Sequence, residues 1–108
     1  MRPTDWTGAE SSGLRRVRPQ RVEHVDGWAV ASLGREAVSY DEGERHAEVG
    51  IDRGLPSSRL YVDTLEWVDE RGGRAPVLEP ERSVLLERIV LGHGALSTSR
   101  LELFSRQV

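Results

Sequence analysis

Apolar and polar residues alternate through Leu60 to Trp67, with Tyr61, Asp63, Leu65 and Trp67 on one side and Leu60, Val62, Thr64 and Glu66 on the other. A period of two predicts a strand. The alternation is cleaner in Arg45 to Asp52. There Ala47, Val49 and Ile51 point one way and His46, Glu48 and Asp52 the other, which predicts an antiparallel strand with one wet, acidic face. Upstream, Trp28 to Leu33 alternates with small residues on both sides, and Gly34-Arg35 supplies a tight reversal. The next run, Glu36 to Tyr40, sets Val38 and Tyr40 on one face. Asp41-Glu42-Gly43-Glu44 then predicts a hairpin loop, because glycine tolerates the positive φ that such turns need.

After Trp67 the period changes. Gly54 to Ser58 reads as a loop before the Leu60 strand, and Arg71-Gly72-Gly73-Arg74 as the exit from it. Pro80 at a first helical position, flanked by Glu79 and Glu81 at the positive end of a macrodipole, predicts a helix start. Leu85, Leu86, Ile89 and Val90 form one apolar stripe, and Gly92 is a natural stop, so the helix is expected over Pro80 to Leu91. A closing strand, Arg100 to Phe104, turns Leu101 and Leu103 toward the core. The expected architecture is an α+β domain. An antiparallel meander of four to five strands is covered on one face by a single helix and followed by a final strand.

Residues 1 to 21 lack a sustained period, contain Pro3, Gly8, Gly13 and Pro19, and hold five arginines against Asp5 and Glu10. They are expected to be a flexible basic leader to a single domain over residues 22 to 108. That domain carries ten arginines against 16 acids, a net charge of −6, which argues against nucleic acid as a partner and in favour of a basic protein. Lysine is absent, so a P-loop lysine, Schiff-base catalysis and a lysine base are excluded. Cysteine is absent too, which removes disulfides and thiolate chemistry. No window approaches a membrane span and no secretion signal is evident, so a cytoplasmic location is expected, with no membrane association.

Candidate chemistry is sparse. His24, His46 and His93 lack ligand spacing, so no metal or other cofactor is expected. His93, between two glycines, reads as favourable electrostatics at a helix C-terminus. Asp63 shares its strand face with Tyr61, Leu65 and Trp67, and if covered it needs an arginine partner. A small enzyme or ligand-binding domain using Asp63, Tyr61 and His93 is one alternative, and a self-associating module with a free strand edge is another. No catalytic residue is assigned. The leading expectation is a protein-binding surface: the acids Asp41, Glu42, Glu44, Glu48, Asp52 and Asp63, with Tyr40, Tyr61 and Trp67 as aromatic anchors.

The order of features from Gly27 to Phe104 resembles the small immunity proteins of bacterial polymorphic-toxin systems. The resemblance rests on a short meander, the aromatic strand Tyr61 to Trp67, a helix opened by Pro80-Glu81-Arg82 and carrying Leu85-Leu86-Glu87-Arg88-Ile89, and the closing Leu101-Glu102-Leu103. The arginine-rich leader and the Asp69 to Val77 loop depart from that layout. What the resemblance implies is a cytoplasmic antitoxin that blocks the active site of a toxin's catalytic domain and catalyses nothing itself.

Overall fold

The computed structural model describes residues 13–54, 57–97 and 100–105. They form an α+β domain of eight strands and one helix: β1 (Leu14–Arg18), β2 (Arg21–His24), β3 (Trp28–Leu33), β4 (Ala37–Glu42), β5 (Arg45–Asp52), β6 (Ser57–Val68), β7 (Arg74–Pro76), α1 (Glu81–Leu96) and β8 (Arg100–Phe104). Strands β1 to β7 run as an antiparallel meander in chain order, and β8 joins β6 in parallel. The helix packs across β1 to β4 and also reaches β8, so the sheet curls around it.

The sheet begins within the expected leader. Leu14 is buried, and β1 pairs with β2 through Leu14↔His24 and Arg16↔Val22. Arg15, Arg16 and Arg18, which read as part of a solvated tail, are the polar residues of an edge strand, where charge discourages pairing with other chains. Arg16 has a further role: its guanidinium donates to the carbonyls of Ala95 (3.0 Å) and Leu96 (3.5 Å), satisfying the open C-terminal end of α1. Residues 1–12, including Trp6, lie outside the described residues.

The core lies between α1 and one face of the sheet. Cross-strand pairs Val22↔Val30, Val30↔Tyr40 and Tyr40↔Ala47 carry one buried row, and Ile51↔Leu60, farther along β5, joins it in a core cluster with Leu85 and Ile89 of the helix. His24 stacks on Trp28 with ring centroids 4.5 Å apart, and Trp28 on Tyr40 at 6.1 Å. Tyr40 is therefore a core residue and does not serve as an exposed anchor. Its hydroxyl donates to Glu42 (2.9 Å) and accepts from Arg88 (2.7 Å), and burial pushes its pKa up.

The helix starts one residue after the expected Pro80, which is its N-cap, and Glu79 accepts from the Ser83 backbone N–H (3.1 Å) and hydroxyl (2.7 Å). It ends later, at Leu96, because Gly92 is used for packing. A Cβ on Gly92 would lie 2.6 Å from the Cβ of Val30, so only hydrogen in place of a side chain lets helix and strand approach this closely. His93, expected at the helix exit, lies within the last turn and is buried with 2% of its surface accessible.

Strand β6 departs most from simple alternation. Glu48 pairs with Glu66 and Gly50 with Tyr61, so one residue of β5 stands opposite four of β6. The Thr64 hydroxyl bridges this bulge, accepting from the Gly50 N–H (2.7 Å) and donating to the Tyr61 carbonyl (2.7 Å). A bulge of this kind switches the face that later residues present. Tyr61 sits opposite Gly50 and Trp67 opposite Ala47, which lie three apart on β5, so the two aromatics point to opposite faces rather than sharing one. The bulge also bends β6 enough for a single flank to receive two strands, β8 along Ser57 to Tyr61 and β7 along Glu66 to Val68.

Candidate functional site

The sheet face away from α1 carries a chain of charges. The hairpin turn at Gly43 (φ 63°) fixes Asp41 opposite His46. The His46 ring is gripped on both sides, with Nδ1 2.7 Å from an Asp41 oxygen and Nε2 2.9 Å from a Glu48 oxygen. Arg21 extends the chain from Asp41 (3.0 Å), and Arg74 extends it from Glu48 (3.0 Å) to Glu66 (3.4 Å). The residues beneath are small: Ala29 stands opposite Asp41 and Ser39 opposite Glu48, and both are buried. Long side chains can lie flat across such a floor.

Partial burial works against a charge on His46, but hydrogen bonds to Asp41 and Glu48, reinforced by their charges, outweigh it and raise the imidazole pKa. The bond from His46, with Arg74 adding to it, holds Glu48 below its ordinary value against a smaller desolvation cost. Both ring nitrogens face carboxylates, so the favoured species is an imidazolium donating twice, with no lone pair free for a metal. Among the described residues no group of three His, Cys, Asp or Glu side chains is placed to hold a metal ion.

This network changes the role of the predicted acids. Asp41 and Glu48 are compensated by Arg21, His46 and Arg74, and Glu42 by the Tyr40 hydroxyl, with Arg88 3.8 Å away. Glu44 stands exposed at the hairpin tip, beside a groove of about 390 Å³ that Trp67, Arg45, Asp69 and Arg74 also line. A broader depression of about 710 Å³ shares Glu44 and Asp69 and adds Glu70 and Arg71. Trp67 is half-buried, with the Arg45 guanidinium 3.8 Å from its ring centroid, and Arg45 is tied in turn to Glu81 of the helix at 2.8 Å. Asp69 shapes the groove wall by accepting from the N–H groups of Arg71 (2.9 Å) and Gly73 (2.7 Å).

The other candidates lie apart. Tyr61 and Asp52 line a separate cleft of about 420 Å³ with Arg35, Glu36 and Arg53, and Phe104 of β8 packs edge-on against Tyr61. Asp63 is half-buried within the bulge of β6. His93 faces another cavity, between the helix and β3. Tyr61 and His93 therefore line two different cavities.

Sequence reasoning missed the cations of the network, Arg21, His46 and Arg74. The pairing of His46 with Asp41 could have been read from the hairpin, since a two-residue turn at Gly43-Glu44 sets Glu42 against Arg45 and Asp41 against His46. No helix among the described residues is long and apolar enough to cross a membrane. Comparison of the chain with protein-family models, with curated proteins and with solved structures found no match in any of the three.

Proposed function

We propose that the chain is a non-catalytic protein-binding module of the immunity-protein kind, which receives a basic protein domain at the groove between the β4–β5 hairpin and the β6–β7 turn. The observation that carries this reading is the half-buried Trp67 set in an open groove beside the exposed carboxylates of Glu44 and Glu70. A rigid aromatic flanked by uncompensated acids is the combination that anchors cationic protein surfaces: the ring supplies area and the carboxylates steer. The compensated acids Asp41 and Glu48 hold the floor of the sheet in place, and they are not the contact surface in this reading.

The test is co-expression with the protein encoded directly upstream of this chain, scoring growth protection and complex formation by titration calorimetry. Trp67→Ala and the double substitution Glu44→Arg with Glu70→Arg should each weaken the complex at least tenfold with the fold intact by circular dichroism. Absence of a complex, or affinity untouched by both variants, overturns the proposal. Self-association is a second reading favoured by β8, a strand at the sheet margin with Leu103 53% and Phe104 47% exposed. A monomer in sedimentation at high concentration would remove it.

A further inference from the structure

Both ring nitrogens of His93 are buried without a hydrogen-bond partner. Native interiors rarely leave such groups unmet, because the hydrogen bonds to water lost on burial are not replaced. The same region holds a second unmet demand. Arg53, just beyond β5, donates to the Ser32 hydroxyl (2.6 Å) and the Ala37 carbonyl (3.4 Å), both neutral oxygens, and forms no ion pair among the described residues. Glu36 and Asp52 line the cleft on its other side without bonding it. Arg53 and His93 together line a cavity of about 30 Å³ under the end of α1, with Gln20, Ser32 and Val38 among its other walls. They are its only ionisable lining residues.

We propose that this cavity is a binding site for one monovalent anion of chloride's size, held between the Arg53 guanidinium and the His93 imidazole. A space of about 30 Å³ exceeds the roughly 10–15 Å³ that admits a single water, so a monoatomic anion fits. A water would engage His93 and leave the guanidinium charge uncompensated. An anion accepts from the guanidinium and from the one N–H of the neutral ring together. Burial already lowers the pKa of His93, and the nearby Arg53 charge lowers it further, so an anion at this position would raise it again.

The experiment uses the full chain with chloride as the probe. Thermal unfolding is followed across a sodium chloride series, with gluconate, which is too large to enter, holding ionic strength constant. A melting temperature that climbs with the logarithm of chloride once the site fills is the expected result. Arg53→Gln and His93→Leu should each abolish that dependence. The wild-type protein also stands alone as a test: a bromide-soaked crystal should give an anomalous peak beside Arg53 and His93. Identical melting in the two salts, or a cavity holding water only in the bromide crystal, overturns the proposal.

Discussion

Replacing Gly92 by alanine sets two effects of opposite sign against each other. On helix propensity alone the substitution should stabilise the protein by about 1 kcal/mol, since glycine is the poorest ordinary residue in a helix interior. The packing opposes this. The new Cβ would lie 2.6 Å from the Val30 Cβ and 2.7 Å from its Cγ2, whereas carbon atoms rest about 3.5–4.0 Å apart. The helix and strand must therefore separate by roughly an ångström. Val30 is fully buried, and since the closest contact is to its Cβ, no change of rotamer relieves it. Overpacking of this kind costs about 1–3 kcal/mol, and such a stiff neighbour argues for the upper part of that range. The expected net loss is about 1–2 kcal/mol, or roughly 4–16 °C in melting temperature for a domain of this size. Gly94, two residues on in the same helix, meets nothing within 4 Å, so Gly94→Ala should instead gain up to about 1 kcal/mol. Urea unfolding of the two variants measures both, and Val30→Ala combined with Gly92→Ala should recover part of the loss through a positive coupling. A Gly92→Ala protein at least as stable as wild type would refute the reasoning.

Other perturbations have equally definite outcomes. The raised pKa of His46 means that its stabilisation is complete below about 6.5 and fades as pH rises through the folded value. Urea midpoints of wild type should therefore fall across that window, and those of His46→Gln should not. Glu48 works from the other side: its contribution is present above the ordinary 4.5 and is lost as pH drops through its depressed folded value, so Glu48→Gln should flatten the acid limb of the same titration. His93, with its pKa lowered mainly by burial, resists protonation, so its penalty grows as pH falls below 6.5 and His93→Leu should remove that slope. Thr64→Val strips the bulge of its bridging hydroxyl and leaves the Gly50 N–H without its acceptor, a loss of about 1–3 kcal/mol that Thr64→Ser should largely avoid. Hydrogen exchange at Gly50 would report the difference, and unchanged protection in the valine variant would count against the bridge.

The α+β architecture was legible in the sequence because each long element carries its own period. Arg45 to Asp52 alternates without a fault, and the Leu85 to Val90 stripe repeats as a helix must. Losses came where a local pattern served a distant purpose. Gly92 reads as a stop on chain grammar, yet it exists for Val30, which no window of neighbouring residues contains. The bulge at Val62 to Leu65 leaves no mark on the hydrophobic pattern, so a strict period carried Tyr61 and Trp67 to one face when the chain places them on two. Arg74 to Pro76 is too short and Ser57-Ser58 too polar to announce strands; the first is recruited by the open flank of β6, and the second extends β6 where β8 pairs with it. For the candidate site, carboxylates were found and their partners were not. Charge compensation is a matter of strand register, and only the Asp41–His46 hairpin pair was recoverable from turn geometry.

The two strands that share one flank of β6 differ in how far the chain must travel to reach it. β7 arrives after a short turn, whereas β8 comes from beyond the entire helix and docks in parallel. Closing the longer excursion sacrifices more chain freedom before any contact is gained, so the β6–β8 seam carries a larger entropic cost than the β6–β7 seam beside it. Native-state exchange should expose that cost as faster opening along β8, with Tyr61 and Phe104 parting company before the meander loosens.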